Sequence, residues 1–310
     1  KCVKLQRQAS KSQVDFVKHL KKVQQEHGFK IIYEVDDVVF REEIPDYNKF
    51  KFAFDTAEVR DNCIQIMDLA DEITVTCDFM RKLFQSKLTN KKITVIPNFV
   101  PNNWMGYLFN RGRVQQALEK HKKKPRILYT GSGAHYDVSN KNGGVDDMSA
   151  VNGVIRKTVN KYQWVFVGAF PPPLADLAWK SLLDYPNFIA NLGAQLMVAP
   201  LTVNNFNNSK SDIKFIEACT LGIPCLCQDM HTYEGAPDDL KFKTPEEFEE
   251  KLDWIVNYKN RKRYFRNIGQ LRDIGAARTL ELNENVGAHM EALMTEYGSP
   301  KRKYLKRWNP

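Results

Sequence analysis

The feature that most constrains this chain is a strand–loop–helix–strand unit past its midpoint. Gln195 to Leu201 is an apolar run with the length of a buried strand. A polar loop follows, and a helix is expected to begin near Ser209, a good N-cap residue. Gly222 and Pro224 end that helix, and Cys225-Leu226-Cys227 reads as the next strand. The same alternation fills the rest of the chain. Strands are expected at Cys2 to Gln8, Lys30 to Val35, Glu72 to Thr76, Ile93 to Ile96, Arg126 to Thr130 and Trp164 to Val167. Helices are expected at Lys11 to His27, Asp55 to Ala70, Asp78 to Gln85, Met148 to Asn160, Glu246 to Val256, Lys259 to Leu271 and Ala276 to Tyr297. Strands alternating with helices imply parallel sheets with crossover helices, an α/β protein. The polar stretch Ser139 to Gly144 is expected to be mobile, Pro171-Pro172-Pro173 to be an extended connector, and Tyr185-Pro186 to lie in a loop.

The chain is long enough for two domains, at 310 residues. No apolar run approaches the roughly 20 residues of a membrane span. The six cysteines are scattered, and Cys225-x-Cys227 lacks a partner pair for zinc, so reduced thiols in a cytoplasmic protein are the simplest account. The net charge of +9 suggests an anionic partner, DNA among the candidates, or merely solvated lysines.

The chemistry is expected at the start of the central helix, where free N–H groups and the positive dipole end attract an anion. Lys210 and Lys214 are one turn apart there, and Glu217 follows three residues later on the same side. Two cations suit the phosphates of a nucleoside diphosphate, and the carboxylate suits ribose hydroxyls. The competing reading is an amphipathic helix with solvated lysines. Gly131-Ser132-Gly133-Ala134-His135 follows another strand, where glycines let a backbone approach phosphates. His135 either contacts phosphate or sugar, or only hydrogen-bonds its loop. Asp36 and Asp37 end a strand, as residues that orient or deprotonate a hydroxyl or as turn residues.

Phe206-Asn207-x-x-Lys210-Ser211-x-x-Lys214-x-x-Glu217-Ala218, with Gly222-Ile223-Pro224, resembles the donor-binding helix of retaining, family-four-like nucleotide-sugar glycosyltransferases of the GT-B fold. The first Glu of the commoner family pattern falls on Ser209, and the chain fits the subgroup pattern instead. Gly-Ser-x-x-His at 131–135, Tyr33 to Asp37, Ala70 to Val75, Val95 to Asn98 and Thr232-Tyr233-Glu234 extend the resemblance. It implies two Rossmann-like domains facing each other across a cleft: an acceptor side over 1–105 with its front part missing, a linker over 106–125, a nucleotide-sugar side over 126–272, and a crossing helix with a basic tail over 273–310. It implies a UDP-sugar donor and no required metal. Lys214 and Lys210 would stabilise the leaving diphosphate, with Asp36 and Asp37 across the cleft. Gly131, Ser132, Gly133, His135, Asn207, Ser209, Ser211, Glu217 and Tyr233 would hold the donor.

The Tyr33–Phe40 and Ile44–Asn48 stretches resemble phage-encoded glycosyltransferases that modify hydroxymethylated cytosine in DNA, with glucose or arabinose as the sugar. The setting would then be the host cytoplasm. Basic runs with aromatics at Tyr258–Arg266 and Lys301–Trp308 suit a phosphate backbone. The alternatives are a glycan, lipid-linked or protein acceptor, and a non-catalytic basic DNA-binding protein.

Overall fold

The computed structural model describes residues 1–7, 9–54, 56–89, 91–101, 104, 111–137, 145–168, 177–178, 180–181, 183–257, 260, 264 and 268–279. Two parallel sheets organise them. The first carries β1 (Cys2–Gln6), β2 (Lys30–Glu34), β3 (Glu72–Val75) and β4 (Ile93–Val95) in sequential order, with Cys2 beside Lys30, Ile32 beside Glu72 and Ile73 beside Ile93. Helices α1 (Lys11–His27), α2 (Ala57–Leu69) and α3 (Asp78–Lys87) make the crossovers. Their ends follow local chemistry. Ser10 and Gln13 form a reciprocal capping box on α1, and Gly28 stops it in the left-handed conformation at φ 58°. Thr56 caps α2 and the Cys77 thiol caps α3.

The chain then runs through α4 (Arg111–Lys120) into β5 (Arg126–Gly131), α5 (Asn152–Thr158), β6 (Gln163–Gly168), α6 (Tyr185–Asn191) and β7 (Leu196–Ala199). Next come α7 (Asn205–Asn208), α8 (Ile213–Leu221), β8 (Cys225–Gln228), β9 (Lys241–Phe242) and α9 (Pro245–Val256). The second sheet has the order β6-β5-β7-β8-β9, all parallel. The chain leaves β5 for one side and returns to pair β7 on the other. Between β5 and β7 the winding reverses, and a crevice opens outside their carboxyl ends. The loops leaving β5 and β7 therefore flank the natural ligand position of this half.

Several expected elements differ. The central helix does not begin near Ser209. Asn204 is the better cap, accepting the Asn207 amide at 2.8 Å, and it starts the single turn α7. Ser209 closes that turn, its hydroxyl donating to the Asn205 carbonyl at 2.8 Å. Asn and Ser side chains compete with a continuous helix here, and α8 starts afresh at Ile213. Tyr185-Pro186 opens α6 instead of lying in a loop, since Pro is tolerated in a first helical turn. The helix expected from Met148 is confined to α5, because the Asp146 carboxylate accepts the Met148 amide at 2.9 Å and holds a turn. Val100 and Trp104, N-terminal to the expected linker, pack in the second core together with Val114 and Leu118 of α4. The runs 139–144, 171–173 and 301–308, most of 258–266, and the end of the last expected helix lie outside the described residues.

The halves are locked together. Phe206, from the second half, is buried in the first core beside Val38, Phe40 and Phe84. A helix over 268–279 lies on α8, and Arg278 clamps the Asp212 carboxylate at 2.7 and 3.0 Å while donating to the Asn98 carbonyl at 2.6 Å. Gly275 permits this contact. A Cβ there would stand 2.8 Å from the Thr220 amide nitrogen and 2.9 Å from the Cys219 carbonyl carbon. Backbone cannot yield as a side chain can, so Gly275→Ala is expected to cost about 1–3 kcal/mol and lower Tm by several degrees. An unchanged melting temperature would contradict the contact.

Candidate functional site

Two cavities meet where the halves face each other. The smaller, about 240 Å3, is lined by Asp36, Asp37 and Asn98 from the first half and by His135, Leu201, Lys210, Ser211, Ile213, Lys214 and Tyr233 from the second. The larger, about 490 Å3, has an apolar wall of Val38, Ile44, Phe50, Phe54 and Phe206, with Arg7, Asn48 and Ser132 among its polar groups. Asp37, His135 and Lys210 line both.

The lysines converge from either side of the break between α7 and α8. Lys210 lies over the Phe206 ring, 4.5 Å from its centroid, and 3.7 Å from the Asp37 carboxylate across the cleft. Lys214, in the first turn of α8, sits 4.7 Å over the Tyr129 ring and donates to its hydroxyl at 3.4 Å. Burial, and next the Lys210 charge, pull its ammonium down to about 8. An anion bound between the two lysines would relieve both effects. Ser211, Ile213 and Lys214 bring the amide-rich start of α8 to the same wall.

Gly131 has a packing role in this arrangement, besides the expected approach of its backbone to phosphate. A Cβ on it would fall 2.5 Å from the Tyr129 ring. The missing side chain makes room for the aromatic face under Lys214.

His135 is fixed by a buried carboxylate. Its Nδ1 lies 2.7 Å from Asp147 Oδ2, and the other carboxylate oxygen accepts from the Tyr47 hydroxyl and Asn207 Nδ2 at 2.6 Å each and from the Thr202 amide at 2.9 Å. Burial opposes the Asp147 charge, but the hydrogen bonds from His135, Tyr47 and Thr202 hold it below the usual carboxylate range. Burial and then the Lys214 charge pull the His135 imidazole down to about 4, so it is neutral at pH 7. Arg7 completes the first-half wall. It is the one non-glycine residue with positive φ among the described residues, 43°, and its guanidinium reaches Asp36 at 3.5 Å and Asp37 at 3.2 Å. Such backbone strain concentrates at functional sites.

No family model and no curated protein matches the sequence. Solved structures do match. HepE from Anabaena, in complex with UDP and glucose, superposes with a TM-score of 0.59 at 10% identity, over 90% of this chain and 76% of that one. Sucrose-phosphate synthase from Thermosynechococcus elongatus gives 0.59 at 12% identity, over 95% and 74%. WaaG, a glycosyltransferase involved in lipopolysaccharide biosynthesis, gives 0.55 at 13%, over 93% and 83%. The fold is that of the GT-B glycosyltransferases.

Within this GT-B fold the residues singled out in the sequence divide into three groups. Lys210, Lys214, Asp36, Asp37, Ser211, Tyr233 and His135 line the smaller cavity, and Ser132 lines the larger. Asn207 and Ser209 are buried and bonded internally, and Gly131, at the end of β5, and Gly133, in the turn after it, are buried. Glu217 lines neither cavity, and burial pushes its carboxyl up to about 7 against the Lys214 charge. Asp147, Tyr47 and Arg7 were missed. Asp147 pairs with His135 over 12 residues and with Tyr47 over 100, distances at which sequence spacing carries no signal. Among the described residues, no group of three His, Cys, Asp or Glu side chains forms a metal site, and no helix is long and apolar enough to cross a membrane.

The Lys214 ammonium is present below pH 8 and lost above it. Pyrophosphate affinity measured by calorimetry should therefore fall as pH rises through that value. Lys214→Met should weaken binding by roughly 10- to 100-fold at pH 7 and abolish this pH dependence. Gly131→Ala should weaken it too, by displacing Tyr129. Equal affinity at pH 7 and pH 9 would contradict the role of Lys214.

Proposed function

We propose that this protein is a glycosyltransferase that moves a sugar from a UDP-sugar to a hydroxyl acceptor. The observation that carries the reading is the convergence of Lys210, Lys214 and the start of α8 on one interdomain cavity at the switch point of a GT-B sheet. Departure of a diphosphate is the costly event as the sugar gains oxocarbenium character, and fixed positive charge beside the leaving oxygen lowers its cost. UDP, glucose and UDP-glucose in structures of HepE support uridine and a hexose as the donor's parts. Ser211 and Tyr233 would border the diphosphate. Asp36 would hold a sugar hydroxyl, since it lines the smaller cavity and its Oδ1, 3.5 Å from the Arg7 guanidinium, makes no hydrogen bond among the described residues. Glu217 keeps the ribose role only if the donor extends beyond the smaller cavity along α8. By resemblance the transfer retains anomeric configuration, no metal is required, and the enzyme works in the cytoplasm, in keeping with six free thiols.

The larger cavity favours a flat acceptor. Its apolar wall of Val38, Ile44, Phe50, Phe54 and Phe206 suits a ring that stacks, and it shares the polar side chains of Asp37, His135 and Lys210 with the smaller cavity. A 5-hydroxymethylcytosine turned out of DNA would place its ring on that wall and its hydroxyl at the junction. The charge of +9 suits a polyanion. A glycan or lipid-linked acceptor is the second reading, favoured by the likeness to WaaG.

The test is UDP release from UDP-glucose and UDP-arabinose with plain DNA, hydroxymethylated DNA and oligosaccharides as acceptors. Release stimulated by hydroxymethylated DNA alone is expected, and Lys214→Ala should abolish it while leaving DNA affinity nearly intact. Stimulation only by oligosaccharides would replace the DNA reading. Failure of UDP to raise the melting temperature would remove the enzymatic one.

A further inference from the structure

The apolar wall of the larger cavity continues into an exposed rim. The six residues Lys49–Phe54, Lys-Phe-Lys-Phe-Ala-Phe, form a 3₁₀ helix that lies against the Gly133–His135 turn of the second half. With three residues per turn, side chains three apart share a stripe. Lys51 and Phe54 form the anchored stripe: the Asp46 carboxylate holds Lys51 at 2.7 Å, and Phe54 packs on the first core. Phe50 and Ala53 form the second stripe and line the larger cavity. Lys49 and Phe52 form the third, and both are exposed. The Phe52 side is the outermost: that residue is 70% exposed, against 54% for Phe50.

A lone apolar ring on a surface needs no explanation. Here two phenyl rings meet water on one short turn, and the turn is held in place. The buried Asn48 accepts the Phe50 amide on its side chain and the Lys51 amide on its carbonyl, each at 2.9 Å. The residue before it, Tyr47, donates to the buried Asp147 of the second half at 2.6 Å. The rings are thus positioned before a partner arrives, so little freedom is lost on binding. Lys49 lies 5.2 Å from the Phe50 ring centroid and makes no ion pair among the described residues, which leaves its charge for a partner.

We propose that Lys49–Phe54 is a nucleic-acid stacking platform at the mouth of the larger cavity, on which Phe52 stacks a nucleobase next in line to the acceptor and Lys49 meets a phosphate beside it. This rests on the DNA reading of the acceptor. A ring and a cation side by side are what a single strand offers partners for: every base has a π-face, and every linkage a negative charge. A membrane surface fits less well. Glu42 and Asp46, both exposed and a few residues away, would be pressed against anionic headgroups, whereas a strand running along one stripe meets the Lys49 charge.

The platform is tested by fluorescence anisotropy with a labelled single-stranded oligodeoxynucleotide, and by photocrosslinking the same strand carrying 5-iododeoxyuridine. Phe52→Ala and Phe52→Leu should each weaken binding about 10-fold, whereas Phe52→Trp should keep or raise it, since stacking needs an aromatic face and not merely an apolar one. Lys49→Ala should flatten the slope of log affinity against log salt by about 0.7. Crosslinks located by mass spectrometry should fall on Phe52. UDP affinity by calorimetry should be the same in all four variants as in the wild type. Equal DNA affinity in the wild type and Phe52→Ala overturns the platform and leaves the DNA reading standing. A wild type that binds no DNA overturns both. If that wild type instead binds vesicles of phosphatidylcholine and phosphatidylserine, and Phe52→Leu binds them equally well, the rim is a membrane contact. Loss of UDP binding by the wild type, with the DNA results as expected, would count against the glycosyltransferase reading and leave the platform supported.

Discussion

One buried charge governs how the two halves meet. A carboxylate without water is several kcal/mol too costly unless hydrogen bonds surround it. Asp147 meets that demand with donors from four separate places: the turn after β5, the loop after β7, α7 and the first half of the chain. Remove one donor and the penalty of the unpaired charge returns. The carboxylate therefore specifies the relative position of the halves as well as the orientation of His135. Tyr47 is the member that crosses the cleft, so its hydroxyl is both a structural clasp and part of the site.

Around that charge the α7 segment acts as a wedge. Phe206 enters the first core, Asn207 binds Asp147, and the Ser209 carbonyl accepts the Cys77 thiol at 3.3 Å. Three of the four residues from Phe206 to Ser209 are thus spent on the other half or on the buried network. Lys210 emerges at the end of this wedge, over the ring of Phe206. Its position is inherited from the packing of the first core, although it belongs to the second half. A loss of apolar packing around Phe206 would be felt at the charge proposed to hold the diphosphate.

The sequence made the sheets legible because their signal is local. Short apolar strands punctuated by capped helices have few alternatives, and Ser10, Gly28 and Thr244 mark helix ends by chemistry that acts within one turn. That Lys210, Lys214 and His135 would face one cavity was legible because a motif names them. The route by which the lysines converge was not, since an unbroken helix from Ser209 would also have placed them one turn apart. The break arises from Asn204 and Ser209 bonding to their own backbone, a competition that helical periodicity does not register. Asp147 could not be singled out because an Asp in the polar stretch 137–147 has the composition of any loop. Its meaning comes from pairings that only the folded chain creates. The same holds for Gly131, whose absent side chain serves Tyr129 two residues back.

The shared wall between the cavities sets the order of charges along the cleft. From the first half comes a carboxylate, Asp37, already paired with Arg7 and 3.7 Å from Lys210. From the second half come two cations and one neutral imidazole. A diphosphate drawn to Lys210 must compete with Asp37 for it, whereas Lys214 has the Tyr129 ring as its neighbour and no carboxylate within ion-pair distance among the described residues. Lys214 is accordingly the stronger anchor for the anion, and Lys210 the one that links donor binding to the acceptor side. As the diphosphate takes up Lys210, the Asp37 carboxylate loses a partner at the very wall where a hydroxyl must be oriented.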